Sequence, residues 1–457
     1  MKNIERRAVV CRVLALLLTA GLALFVVRFL FSGGSWASSA FNRHLYNNDG
    51  VLSSGTVLDR DGDVLSTVTD GKRTYYSNKN VRKATLHVVG DLQGNIGTGA
   101  LNAFADKLTG FDLLNGAFGA DKGCSLYLTI DAYYNNIAYQ ALNGKAGTVA
   151  VYNYKTGEIL CLVSAPSYDP MNVPSDLETN DDYKGAYINR FLSATFTPGS
   201  VFKTVTVAAA IEKIPDLTSR TWNCTGSVQI GDNTITCSGV HGTEDIYAAL
   251  ANSCNVAFAE IADEVGASAL KKYTEKAGLT DSYSVSGLHS AKGTFDWKDI
   301  SDSELGWAGV GQYKDQVNPC SLMVYMGAIA NGGTAPVPRL IEKTTDSLGI
   351  PTSLNLTHRT RTLISADTAK LVAEMMANDV TATYGTERFP NMDLCAKSGT
   401  AEVGNDQKPH AWFAGFLRDE DTPYAFVVLV ENGGGGASVA GTVAGKVLST
   451  MVSAKTK

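Results

Sequence analysis

No two of the eight cysteines are spaced as Cys-x-x-Cys, so neither a zinc ribbon nor a thioredoxin-type redox pair is indicated, and no metal site is expected. Histidine is scarce, six residues in 457, and no Gly-x-Ser-x-Gly is present, so a Ser-His-Asp hydrolase finds no support. His241, next to Gly242, reads as a loop hydrogen-bond position rather than a catalytic base. Basic charge is not in excess either. Lys and Arg total 39 against 45 Asp and Glu, a formal net charge of −6 with no basic stripe, which argues against a nucleic-acid partner. Twelve prolines stand against 45 glycines, which implies many turns and close backbone approaches without a collagen-like period. There is no internal repeat and no low-complexity linker. With 44% hydrophobic and 18% charged residues, the chain is not disordered as a whole. Its length suits roughly three structural units at about 150 residues each.

One long hydrophobic run is present. Residues 8–31 are apolar except for Arg12, Thr19, Gly21 and Arg28. About 24 helical residues span roughly 36 Å, enough to cross a hydrocarbon layer of about 30 Å. Arg12 and Arg28 lie near its ends, where long side chains reach the interface. Lys2, Arg6, Arg7 and Arg12 place the positive excess before the span, so the N-terminus is expected in the cytoplasm and the bulk of the chain outside. A cleaved signal peptide competes with this reading, since residues 35–40 are rich in small side chains. The run is longer than the usual h-region of about 7–15 residues, which favours an uncleaved anchor.

Seven cysteines follow that run, an odd number that cannot all pair within the chain. Cys224 and Cys237 flank a segment, CTGSVQIGDNTITC, that reads as a hairpin. A disulfide between them would add about 3 kcal/mol in an oxidising compartment; two reduced thiols are the alternative.

Further along, residues 54–67 alternate around the Asp61-Gly62 turn signal and read as a hairpin. Residues 85–118 mix a short apolar strand with a helix near 100–108. A second hairpin runs from Gly147 through a Lys155-Thr156-Gly157 turn. Helical patterns cover 200–214 and both sides of Asn252. Strands are expected at 394–403, 410–417 and 424–431, then a Gly-rich turn at 433–436 and a terminal helix over 439–453. Strands at both ends with helices between indicate one mixed α/β domain over 125–457, preceded by a small region at 33–124 and by the tail and anchor at 1–32.

Chemistry concentrates in three short motifs. In Thr197-Pro198-Gly199-Ser200-Val201-Phe202-Lys203, a turn signal precedes a helical run. Ser200 then sits at a helix N-terminus with Lys203 three residues on, on the same face. Free N–H groups there favour a developing anion, and a neutral Lys203 could take the proton from Ser200. The second motif, Ser253-Cys254-Asn255, falls between two helical segments. The third, Lys397-Ser398-Gly399-Thr400, lies in a strand, where a glycine serves close approach of another backbone. Singly, each has an ordinary explanation: an N-cap with a solvated lysine, a helix junction, an edge-strand bulge.

In this order, Ser-x-x-Lys, Ser-x-Asn and Lys-Ser-Gly resemble the motif set of penicillin-binding proteins and serine β-lactamases. TFTPGSVFK, ALANSCNVAF and CAKSGTAEV are similar to the segments around these motifs in class B penicillin-binding proteins. So are SGTVLDRDGDVL, GEILCLVSAPSYDP, NRFLSATFTPGS, AGVGQ, AIANGG and HAWFAGF. About 90 residues separate the anchor from residue 125, too few for a glycosyltransferase domain, so a monofunctional short form without appended C-terminal repeats is expected.

The resemblance implies an α/β (mixed) transpeptidase domain with an antiparallel sheet and flanking helices. It implies a peptidoglycan DD-transpeptidase that crosslinks stem peptides through a Ser200 acyl-enzyme and binds β-lactam antibiotics covalently. Lys203 would be the general base. Ser253 would relay a proton to the leaving group, and Asn255 would bond the substrate amide and Lys203. Lys397 would supply positive charge for the substrate carboxylate, which Ser398 and Thr400 would bond. The N–H groups of Ser200 and Thr400 would form an oxyanion hole, and the strand carrying Gly399 would pair with the extended peptide. Cys254 reads as a small packing residue. No cofactor is implied. The partner implied is a SEDS-type membrane glycan polymerase. A β-lactamase or β-lactam sensor, and an idle scaffold, are the alternatives. Against a class A lactamase, the stretch from Asn255 to Lys397 reads as lacking the Glu-x-x-x-Asn of a deacylating glutamate.

Overall fold

The computed structural model describes residues 2–37, 52, 54–109, 111–112, 116–117, 123–346, 349–353, 357–404 and 407–455. Part of the small-residue stretch 35–40 lies outside them. The first element, α1 (Lys2–Ala37), is one 36-residue helix. Within it Ile4–Phe29 is long and apolar enough to cross a membrane, and none of its most apolar stretch is buried.

The first hairpin pairs β1 (Thr56–Leu58) with β2 (Val64–Thr69). Asp59 sets its turn, its Oδ1 accepting from the N–H groups of Asp61 and Asp63 at 3.0 and 2.8 Å. β3 (Lys72–Tyr75) extends the pair. The apolar run Leu86-His87-Val88-Val89 is the end of a helix, α2 (Lys79–Val89), capped by Asn78. All four of these residues are buried, so no polar face interrupts the run and its period cannot be read. Two-residue strands occur at Phe111–Asp112 and Gly116–Ala117, and the helix expected near 100–108 is split into Ala100–Ala103 and Ala105–Thr109.

β4 (Ser125–Leu128) runs parallel to β1 and antiparallel to the strand Ile341–Thr345. This five-stranded mixed sheet therefore crosses residue 125, and both sides share its core through Val57, Leu126 and Leu128. Arg82 of α2 adds a two-pronged bond to Asp169, both contacts 2.7 Å. The helix α3 (Ala132–Leu142) follows, with Asp131 as its cap.

The larger sheet combines β5 (Gly147–Asn153) and β6 (Ile159–Ala165) with three later strands. Between them lie α4 (Lys203–Lys213), α5 (Ile246–Ala251), α6 (Asn255–Val265), α7 (Pro319–Ala330) and α8 (Ala366–Asp379). Then come β7 (Leu394–Ala401), β8 (His410–Leu417), β9 (Tyr424–Val430) and the helix α9 (Gly441–Lys455). The order is β7-β8-β9-β5-β6, every pair antiparallel. Strand alternation sorts the side chains into two cores. Val149, Val151, Phe413 and Val428 face α3 and α9, against Leu142 and Val447. Ala150, Tyr152, Trp412 and Leu429 face the opposite layer, with α4, α6, α7 and α8. The result is a three-layer sandwich with β7 at the edge.

Candidate functional site

Thr197 is pinned twice before the chain turns. Trp412 Nε1 donates to its carbonyl at 2.9 Å, and Gln316 Nε2 to its hydroxyl at 3.0 Å. The chain then tightens into a 3-10 turn, Gly199–Phe202, and Lys203 opens α4. Ser200 thus stands in a tight turn rather than in the first turn of an α-helix. Gly199 causes this with a φ of +56°, and its N–H donates to Gly311 O at 2.8 Å.

Lys203 has no exposed surface. Its Nζ lies 2.5 Å from Ser253 O, 2.8 Å from Asn255 Oδ1 and 3.3 Å from Ser253 Oγ. Burial, reinforced by nearby Lys397, pulls its pKa from 10.5 down to about 7. A neutral amine has two N–H donors and a lone pair. Ser253 O and Asn255 Oδ1 accept the donors, which leaves the lone pair for a hydroxyl proton. Ser253 reaches this position through a left-handed φ of 54°, uncommon for serine, at the junction of α5 and α6. Asn255 is fixed in turn, its Nδ2 donating to Thr236 O at 2.9 Å.

The third motif lies along the inner part of β7, with Lys397 opposite Ala414 and Gly399 opposite Trp412. Lys397 is fully buried, and burial lowers its pKa against the pull of Asp379. Asp379, the last residue of α8, is itself fully buried, and among the described residues neither carboxylate oxygen has a hydrogen-bond partner. Burial raises its pKa, while Lys397 and Lys203 oppose the rise. Tyr384 accepts the Ser398 N–H at 2.8 Å and donates to Ser398 Oγ at 3.0 Å. Gly399 allows close approach of the nucleophile turn: a Cβ there would stand 2.8 Å from Pro198 O and 3.2 Å from Val201 N.

Ser200, Ser253, Asn255, Ser398 and Thr400 share one cleft of about 490 Å³, whose wall also includes Thr236, Cys237, Trp307, Gln312 and Glu402. The structure therefore brings together residues from all three motifs. Sequence reasoning missed Asp379 and Tyr384. Asp379 continues the buried positions Val372, Met375 and Met376 at helical spacing, so a carboxylate on an apolar face was the available signal. One reading needs correction: Glu-x-x-x-Asn occurs twice, at Glu374 to Asn378 and Glu387 to Asn391. Both glutamates are exposed and neither lines the cleft, so the spacing is incidental.

Residues 147–449 match the family described as "Penicillin binding protein transpeptidase domain". The chain is 30% identical over 377 residues to the peptidoglycan D,D-transpeptidase PbpA of Mycobacterium tuberculosis, covering 75% of this chain and 74% of that protein. Its structure is similar to the D,D-transpeptidase domain of a peptidoglycan glycosyltransferase from Eggerthella lenta. That match has a TM-score of 0.77 at 25% identity, over 88% of this chain and 98% of the other. The imipenem acyl-enzyme of penicillin-binding protein A from M. tuberculosis gives a TM-score of 0.75 at 25% identity, over 87% and 98%.

Proposed function

This chain belongs to the penicillin-binding protein transpeptidase family, and from that footing we propose how its residues divide the work. It is a class B, serine-type peptidoglycan D,D-transpeptidase that crosslinks stem peptides and is acylated by β-lactams. Ser200 Oγ attacks the carbonyl of the penultimate D-Ala as its proton passes to neutral Lys203. The oxyanion is held by the N–H groups of Ser200 and Thr400, each donor worth about 3 kcal/mol. Ser253 passes the proton to the departing amine, which leaves as D-Ala. An acceptor amine from a second strand then opens the acyl-enzyme by the reverse path. Lys397, whose charge Asp379 favours against burial, attracts the substrate carboxylate, and Ser398 and Thr400 bond it. The β7 backbone near Gly399 aligns the extended peptide.

The observation that carries this reading is the set of Lys203 contacts. A buried lysine, held by the second motif and titrating near neutrality, is what a base for Ser200 requires. Treating the protein with fluorescent penicillin, followed by intact-mass and peptide mapping, tests it. The label is expected on Ser200 alone and is expected to persist for longer than minutes. A label on another residue, or release within seconds, would refute it.

The surroundings follow from the same reading. We assign residues 1–32 to a cytoplasmic tail and single-pass anchor, residues 33–124 to a pedestal, and residues 125–457 to the catalytic part on the extracytoplasmic side. The positive residues before the span and the apolar α1 support that orientation. A transpeptidase crosslinks glycan that another protein polymerises, and a SEDS-type membrane polymerase fits that role. The anchor and residues 45–125 would form the contact, and the bilayer would concentrate both proteins. Part of 45–125 lies outside the described residues. An unrelated transmembrane helix in place of the anchor should keep penicillin binding and lose co-purification with the polymerase; residues 45–125 stay in place because they share a sheet and a core with the catalytic part. Restored growth by that chimera in a strain lacking this protein would overturn the pairing.

A further inference from the structure

Three thiols and one imidazole converge behind the second motif. Cys224 ends the strand Thr221–Cys224, and Cys237 follows the strand Asn233–Thr236. His241 precedes the strand Gly242–Asp245, and Cys254 caps α6. The ligand atoms of all four lie within 4.8 Å of one another. Cys237 Sγ is 3.7 Å from His241 Nδ1 and 4.0 Å from Cys254 Sγ. A tetrahedral ion with metal–sulfur bonds of about 2.3 Å places its sulfurs about 3.8 Å apart, so these separations suit a shared centre.

Two of the sulfurs accept backbone N–H groups, while Cys224 Sγ faces Gly239 O at 3.5 Å. Asn255 N–H donates to Cys237 Sγ at 3.2 Å, and Ala257 N–H to Cys254 Sγ at 3.4 Å. Glu244, 4% exposed, places Oε1 3.8 Å from His241 Nδ1, and Asn252 Nδ2 occupies its Oε2 at 3.0 Å; its carboxylate disfavours a Cys254 thiolate unless a cation offsets the charge. All four cysteine and histidine side chains are buried or half-buried, and the three cysteines are free thiols. A disulfide would consume two sulfurs and leave the third thiol and the imidazole without a role.

We propose that Cys224, Cys237, His241 and Cys254 hold one structural zinc ion in a closed tetrahedral site. On binding, each thiol releases its proton to solvent as its sulfur coordinates, and neutral His241 donates through Nδ1. With four protein ligands and no open position, the ion does no chemistry on substrate. It ties the β-ribbon wall of the cleft to Cys254, between Ser253 and Asn255. Those are the two residues that hold Lys203. The spacing, Cys-x12-Cys-x3-His-x12-Cys, has no Cys-x-x-Cys and for that reason reads as no metal site.

The test uses the full chain purified in detergent without chelator, with zinc measured by elemental mass spectrometry. About one zinc per chain is expected, with the three thiols protected from alkylation until the ion is removed. Cobalt(II) put in its place should show the visible spectrum of a tetrahedral thiolate centre. His241→Gln, at a half-buried loop position, should lower zinc affinity at least about 100-fold, beyond the roughly 10–100-fold that loss of an outer-shell partner costs. A chain that stays metal-free after incubation with zinc overturns the proposal, as does a Cys237–Cys254 disulfide in non-reducing peptide maps of the native protein. Unchanged zinc affinity in His241→Gln removes His241 from the ligand set.

Discussion

Lys203 and Asn255, fifty-two residues apart in the chain, meet at 2.8 Å between Nζ and Oδ1. That bond couples the nucleophile segment to the second motif. It also fixes the lysine in an environment where losing its proton costs little.

Acylation should therefore depend on pH in a definite sense. Lys203 acts as a base only when neutral, and burial lowers its pKa to about 7. The rate constant for penicillin acylation should rise about tenfold per pH unit below about 7 and level off above it. Time courses from about pH 5.5 to 8.5 read this directly. A flat profile would show that another group takes the proton.

Lys203→Arg should abolish measurable acylation, a loss of at least about 100-fold, because arginine stays protonated at any workable pH. Circular dichroism and thermal melting should show that the fold survives. Acylation at the normal rate would remove Lys203 from the role of base.

Asp379→Asn should act through Lys397. The carboxylate opposes the burial that strips Lys397 of its proton. Without it, Lys397 becomes neutral at a lower pH. With carboxylate-bearing β-lactams, the plateau in acylation should end in an alkaline decline where Lys397 loses its charge, and in Asp379→Asn that decline should start at a lower pH than in the parent protein. An unmoved or upward-shifted alkaline limb would contradict the assignment.

Gly399→Ala should cost about 1–3 kcal/mol of stability and slow acylation, since the new Cβ meets the Pro198 carbonyl at 2.8 Å. Gly97→Ala, where a Cβ would have open space, should leave both unchanged. Denaturant titration and labelling rates measure the pair. Equal behaviour of the two variants would mean that the nucleophile turn yields without loss.

The motifs were legible because each keeps its signal local. Pro198-Gly199 announces a turn, and 410–417 reads as a strand from composition alone. The limits are equally physical. Sequence alone puts Ser200 on an α-helix, because its 3-10 turn depends on Gly311 and Trp412, more than a hundred residues away. Leu86 to Val89 hid their helical period by being buried on every side. Asp379 and the cysteine cluster draw their meaning from groups that only tertiary folding brings near.

The strand order has a consequence for synthesis of the chain. β5 forms its inner pair with β9, so the middle of the sheet joins segments made far apart in time. The second emerges from the ribosome roughly 280 residues after the first, on the order of 15–55 s later at about 5–20 residues per second. Until then the β5–β6 hairpin presents an unpaired edge and two greasy faces, a template for association with other chains. The nascent polypeptide therefore spends its most aggregation-prone interval before the catalytic sheet can close. A premature stop before β9 removes the seam on which both cores fasten, and it leaves no smaller folded remnant of that sheet.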